Sequence, residues 1–307
     1  MTPSVPPLLL ALAVDGAFGE YPNAIHPVVA MGTLAGALER RIPRGRVWVE
    51  RLGGAAVALI VPAAAAGAAL VAMRFTTGYS WGWIVEGLLL KATFAGRALG
   101  AAALRVQHDL EHRGVVAARG DLASLCSRDA GALGSEQLLA GAIESVAENT
   151  SDSVVAPLLF YAVFGLPGAM AYRAVNTLDA MIGYRGAYEN VGKASARLDD
   201  VLNLIPARLT AFLLATAGAV LGLDAARGAG VWRRDRRRTE SPNAGHPMAM
   251  MAGLLGVVLA KDGCYVLGGS GRAAAPPDVR RAVEVFALAS LLAAGLAVLA
   301  VGVRSPR

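Results

Sequence analysis

Three stretches of this chain run without a single charged residue for about the length of a bilayer crossing: Gly53 to Met73, Ser153 to Tyr172 and Val285 to Val303. A helix needs about 20 mostly apolar residues to cross the hydrocarbon core, where only fully hydrogen-bonded backbone is tolerated. Pro157 and Pro167 interrupt the second stretch. Leu209 to Leu223 is shorter and reaches a full span if Arg208 snorkels to the interface. Met1 to Val14, Trp81 to Leu104 and Met248 to Ala260 are too short or carry charges such as Glu86, Lys91 and Arg97, and are expected to be interfacial, re-entrant or tilted. Only 17% of residues are charged, against about a quarter in soluble domains. The expected fold class is therefore all-α: a polytopic integral membrane protein with about four to six spanning or re-entrant helices and cytoplasmic helical loops. Residues 1–307 are expected to form a single domain, multi-pass in the inner (cytoplasmic) membrane, with the lipid bilayer as its surroundings.

The net charge of +6 comes from arginines beside apolar runs, not from one basic face, so membrane topology explains it and no nucleic-acid partner is expected. Arg40, Arg41, Arg44, Arg46 and Arg51 precede the first span, and Arg233, Arg234, Arg236, Arg237 and Arg238 follow the fourth. The positive-inside rule places both groups in the cytoplasm. Arg105 to Arg128 joins them if the Trp81 segment crosses, whereas charge balance between Arg173 and Asn203 assigns no side. The opening MTPSVPPLLLALAVDGAFGE has neither a basic n-region nor a small-residue cleavage site and is expected to be retained. Cys126 and Cys264 lack metal-ligand spacing and read as ordinary thiols.

An internal echo links Pro22-Asn23-Ala24-Ile25-His26-Pro27 to Pro242-Asn243-Ala244-Gly245-His246-Pro247, each running into apolar sequence. Proline disfavours helix at the residue before it, so a turn is expected at each histidine. Two related helix-start or re-entrant turns lining one site would make His26 and His246 substrate-binding residues.

The densest chemical signal is ESVAENTSDS. Glu144, Glu148 and Asp152 recur every four residues on one narrow helical arc, with Ser145 and Asn149 beside it. Hard oxygen ligands of this kind suit Mg²⁺, and carboxylates running straight into an apolar stretch are costly unless they have work to do. In YRAVNTLDAMIGYRGAYENVGKASARLDD, Arg173, Asn176 and Asp179 share a helical face, and Tyr184 and Arg185 follow Gly183. Arginine and lysine here can hold phosphate or carboxylate, or pair internally with Asp199 and Asp200. His108 and His112 have metal-ligand spacing but sit in QHDLEHRG and read as a solvated face. No GxxxxGK[ST] loop, GxGxxG fingerprint or GxSxG elbow is present.

The segments HPVVAMG, ARGDLASLCSRDAGAL, ESVAENTSDSVVAPLLFYAVFGLPGA, YRAVNTLDAMIGYR, ARLDDVLNLIPARLTA and SPNAGHPMAMMAG resemble, in order and over nearly the whole chain, the CobD/CbiB membrane proteins. Around FGEYPNAIHP the turn is longer than the family pattern, which leaves the role of Glu20 open. The resemblance implies condensation of adenosylcobyric acid with (R)-1-amino-2-propanol or its O-phosphate, giving adenosylcobinamide or its phosphate. Other membrane enzymes of late corrinoid assembly become expected partners. Amide formation from a free carboxylate is uphill in water, so ATP with Mg²⁺, through an acyl phosphate, is the expected route. On this reading Glu144, Glu148 and Asp152 carry the metal. Glu148, Asp152, Asp179, Asp199 and Asp200 are the candidate catalytic acids and bases. His26, Asn149, Arg173, Asn176, Tyr184, Arg185, Lys193 and His246 bind substrate. The rival expectations are a transporter for a corrinoid or other anionic solute, and a signalling or binding protein similar to the AmpE type.

Overall fold

The computed structural model describes residues 3–125 and 130–304, so Cys126 lies outside the described residues, while Cys264 is a free, exposed thiol. In chain order the helices are α1 (Val5–Phe18), α2 (Pro27–Glu39), α3 (Val47–Thr76), α4 (Gly82–Lys91), α5 (Gly96–His112), α6 (Val115–Leu125) and α7 (Ser135–Thr150). They continue with α8 (Ala156–Ile182), α9 (Lys193–Leu202), α10 (Leu204–Val220), α11 (Ala225–Asp235), α12 (Gly245–Leu255) and α13 (Pro276–Arg304). A π-helical turn, Ser151–Val155, joins α7 to α8, and one antiparallel ribbon pairs β1 (Leu259–Lys261) with β2 (Tyr265–Leu267) in the register Leu259↔Leu267.

Among the described residues four segments are long and apolar enough to cross a membrane: Val47–Thr76, Gly82–His112, Ser135–Ile182 and Pro276–Arg304. A fifth arises if α9 and α10 are taken as one bent span. The polytopic helical expectation therefore holds. Two of its details change. Leu209 to Leu223 is not a span by itself, because α10 reaches that standing only together with α9. The Trp81 stretch, expected to be too charged, does qualify by length and composition within Gly82–His112, and its charges are met by protein: Tyr161 Oη lies 2.9 Å from Glu86, and Lys91 is ion-paired.

The chain divides into two compact units, Met1–Ala95 with Ala156–Asn203 and Ala294–Arg307, and Gly96–Val155 with Leu204–Ala293. In the first unit α3 packs along α8, and the buried residues of α3 are mostly small, Gly54, Ala58, Val61, Ala65 and Ala69 among them, which suits close helix approach. Its other face exposes Leu52, Leu59, Ile60, Leu70 and Phe75, a surface suited to lipid. A side chain at Gly54 would run into the backbone carbonyl of Val191, so the loop before α9 is seated directly on α3.

The interruption expected from the prolines of α8 falls at Gly165, whose φ of 68° leaves the helix two residues before Pro167. Proline cannot donate to the carbonyl four residues back, and a freed carbonyl in an apolar setting needs another donor. Arg304, at the end of α13, supplies it: Nη1 donates to the carbonyls of Ala162 at 2.9 Å and Val163 at 3.2 Å.

The side of the segment after α8, which charge balance left open, is tied to the basic loop before α3. Arg44 donates to the Ala187 carbonyl at 3.4 Å and lies 5.6 Å from the Tyr188 ring centroid, and Arg51 Nε donates to Asn190 Oδ1 at 3.2 Å. Residues 187–190 therefore face the same compartment as Arg44. Single cysteines at Arg44 and Ala187 should react with an impermeant thiol reagent from the same side of sealed vesicles, and reaction from opposite sides would break this arrangement.

In the second unit α12 is buried along its whole length, as a helix apolar all round should be, with α7, α10 and α11 packed on it. The Met248 to Ala260 stretch is thus a protein-surrounded core helix followed by a strand. Beside it, Asp235 is fully buried and accepts hydrogen bonds from Arg234 and from the Gly268 amide at 2.9 Å, fixing the ribbon to α11.

Candidate functional site

Four groups of polar side chains among the described residues bear on function, two in each unit. In the first unit α8 and α9 bring together Arg173, Asn176 and Asp199. Arg173 donates to Asn176 Oδ1 at 3.3 Å, and Asn176 Nδ2 donates to Asp199 Oδ1 at 3.4 Å. The other carboxylate oxygen accepts from Asn203 Nδ2 at 2.9 Å, and Asn203 in turn accepts from the buried hydroxyl of Tyr172 at 2.8 Å. Asp199 is thus oriented by two neutral amides, with no guanidinium ion-paired to it among the described residues. Asp179 and Asp200 are its electrostatic neighbours, and Arg197 stands 3.9 Å from Asp200. Gly183 gives passage to Asp179, since a Cβ there would strike the Asp179 carboxylate. Tyr184, Arg185 and Lys193 follow as exposed residues.

The second cluster surrounds Lys91, which has no exposed surface. Its ammonium lies 2.7 Å from Glu20 Oε1 and 3.2 Å from Asp15 Oδ1, and donates to the Phe94 carbonyl at 3.0 Å. The second oxygen of Glu20 meets His26 Nε2 at 2.8 Å. His26 is the N-cap of α2: its Nδ1 accepts from the Val28 amide at 3.2 Å, which leaves the proton on Nε2 for Glu20. Burial would raise the Glu20 carboxyl, but the hydrogen bonds from Lys91 and His26 outweigh it and hold it below the usual carboxylate range.

In the second unit the acidic stretch carries its own irregularity. Glu144 and Glu148 lie on α7, Glu144 buried and Glu148 half-buried, while Asp152 sits in the π turn that follows. Asn149 spans the change, donating to the Ser145 carbonyl at 3.0 Å and accepting from Ser153 Oγ at 3.3 Å. Ser151 Oγ is buried with no hydrogen-bond partner among the described residues. The donors are all hard oxygens, which fits Mg²⁺, yet among the described residues no three His, Cys, Asp or Glu side chains are gathered as a ready-made metal site. That pattern suits an ion held by one or two carboxylates, water and substrate phosphate.

The fourth place is a cavity of 530 Å³ lined from α10, α11 and α12, with Arg208, Phe212, Trp232, Arg236, His246 and Met250 among its walls. His246 accepts from Trp232 Nε1 at Nδ1, 3.2 Å away, so its proton also sits on Nε2. Burial, together with the charges of Arg208, Arg236 and Arg237, lowers its pKa from 6.5 to about 4. The unfolded chain takes up this proton as pH falls through 6.5, while the folded chain resists it down to about 4. The stability from neutral His246 is therefore complete above pH 6.5 and is lost as pH falls toward 4. Melting temperatures between these two limits should fall less steeply for His246→Gln than for the unaltered protein.

The family model described as CobD/Cbib protein matches residues 8–286. The chain belongs to the CobD/CbiB family. It is 42% identical to the cobalamin biosynthesis protein CobD of Dehalococcoides mccartyi, over 88% of this chain and 89% of the relative. It is 43% identical to that of Geobacter metallireducens, over 86% and 84%, and 36% identical to that of Klebsiella pneumoniae, over 94% of each. No solved structure matches it. CobD/CbiB membership supports a role in cobalamin biosynthesis.

Within this CobD/CbiB chain the paired PNAxHP motifs are equivalent locally. In both, the histidine amide bonds to the carbonyl of the motif asparagine, at 3.4 Å for His26 and 2.9 Å for His246. They differ in depth: His26 caps α2 from outside, whereas His246 is already inside the first turn of α12, where Pro247 is tolerated because its missing amide would have had no helical partner. His108 and His112 are exposed and stack on each other at 4.4 Å, as a solvated face. The spacing arguments passed over Asp15, Glu20 and Lys91, and over Arg208, Arg233, Arg236 and Arg237. A lysine in the apolar run LLLKAT was the available signal for the first group.

Proposed function

We propose that this chain forms the amide bond between the amine of (R)-1-amino-2-propanol, or of its O-phosphate, and a propionate carboxylate of adenosylcobyric acid. The product is adenosylcobinamide or its phosphate, made at the inner membrane. The observation that carries the reading is Asp199, a carboxylate in an apolar helical setting that is held by Asn176 and Asn203, with no cation paired to it among the described residues. The amine must shed a proton as its nitrogen bonds to the carboxyl carbon and the carbon–oxygen bond to the leaving group breaks. A carboxylate oriented by neutral amides is suited to accept that proton. Arg173, Arg185 and Lys193 offer cations to a phosphate or to the carboxylates of the corrinoid. When bound, ATP with Mg²⁺ would supply the activation that turns a carboxylate oxygen into a leaving group. Glu144, Glu148 and Asp152, with Asn149 and Ser151, are the oxygen donors suited to that ion.

Purified protein in detergent, given adenosylcobyric acid, aminopropanol or its phosphate, ATP and Mg²⁺, should yield a species whose mass is that of the two reactants less water. Absence of that product with either amine would remove the reading. Movement of corrinoid into sealed vesicles without product would replace it with the transporter.

A further inference from the structure

The five arginines that follow Trp232 do not act as one basic block. Arg234 and Arg238, one helical turn apart, both reach Asp235, whose remaining bond comes from the Gly268 amide. Arg233 on α11, with Arg236 and Arg237 just past its end, lines the cavity together with Arg208 from α10. No aspartate or glutamate is among the residues that line it. Arg236 is stacked on Trp232 at 4.6 Å, and Arg208 is held by Asn243 Oδ1 at 3.2 Å and by the Leu204 carbonyl at 2.7 Å, so two of the four cations are pre-positioned. His246 adds a neutral imidazole whose Nδ1 is occupied by Trp232, leaving Nε2–H as a donor. The remaining lining is apolar: Ala211, Phe212, Ala215, Ala229 and Met250. Four like charges around one cavity repel each other, and a dianion with several acceptor oxygens relieves this better than a single carboxylate does.

We propose that this cavity is a phosphate-binding site for an amphipathic ligand, with the phosphate among Arg208, Arg233, Arg236 and Arg237 and the apolar portion against Phe212 and Met250. Its volume of 530 Å³ is that of a small-molecule site, which admits a nucleotide or the head of an anionic phospholipid.

The test is binding to detergent-purified full-length protein without corrinoid or amine, so the outcome stands whether or not the chain makes an amide. Inorganic phosphate and ATP are measured by equilibrium dialysis. Phospholipid retained from nanodiscs with and without phosphatidylglycerol is measured by native mass spectrometry. Arg237→Ala removes an exposed cavity cation, and Arg280→Ala removes an equal charge from the exposed Arg280–Glu284 pair elsewhere. Affinity for the bound probe should fall about tenfold or more in Arg237→Ala and stay unchanged in Arg280→Ala. Loss confined to ATP or phosphate makes the ligand a soluble phosphate compound. Loss confined to phosphatidylglycerol makes it a lipid headgroup. No binding of any probe, or equal weakening by both substitutions, overturns the site. Thermal unfolding of each variant separates a lost site from a lost fold.

Discussion

Lys91→Met is expected to deplete folded protein from the membrane and to lower the melting temperature in detergent more than any single surface change. The ammonium is the shared counter-charge of Glu20 and Asp15, and the lysine is wholly buried. Methionine fills the space but takes the ammonium from buried Asp15 and one of two partners from Glu20, which keeps His26, and breaking a buried pair by removing one partner costs about 3–5 kcal/mol. Glu20→Gln should be milder, because Lys91 keeps Asp15 at 3.2 Å and the Phe94 carbonyl at 3.0 Å. The comparison also decides what the network is for. If Lys91→Met melts like the unaltered protein but makes no product, the lysine belongs to the reaction and not to the fold.

Spans such as α3 and α13 were legible because their signal is local: uncharged runs of sufficient length admit few other solutions. What was not legible depends on partners distant in the chain. Glu86 and Lys91 make the Trp81 stretch read as too charged although Gly82–His112 is apolar enough as a whole, and their partners Asp15, Glu20 and Tyr161 are set beside them only by the fold. The same holds for Gly165: a break in a helix needs donors for its carbonyls, and here they come from Arg304, 142 residues away. The acidic stretch shows the reverse case. Its residues stand out in the sequence as a polar group, but nothing in their four-residue spacing announces the π turn at Ser151–Val155 that holds Asp152. The arginine run carried two messages in one string. As charge it reads as topology, while the separation of Arg234 and Arg238 from Arg233, Arg236 and Arg237 needs the position of Asp235.

Glu148→Gln should lower formation of adenosylcobinamide or its phosphate by about 100-fold or more while leaving the amount of folded protein nearly unchanged. Glu148 is half-buried on the last turn of α7, one turn from buried Glu144 and close to the π turn that holds Asp152 and the Ser151 hydroxyl, which has no hydrogen-bond partner among the described residues. Glutamine keeps the shape and removes the charge, so packing against the helix is retained. A hard cation shared between one or two carboxylates and substrate phosphates loses much of its attraction when one carboxylate is neutralised, so the residual activity should require more Mg²⁺. If the charge serves only to hold a neighbouring cation in the fold, the same substitution lowers the melting temperature and leaves the Mg²⁺ dependence where it was. Product formation over a Mg²⁺ titration, set beside thermal unfolding of the same preparation, separates the two. Near-normal turnover with an unchanged Mg²⁺ requirement would take Glu148 out of the reaction and leave the π turn without its strongest candidate ligand.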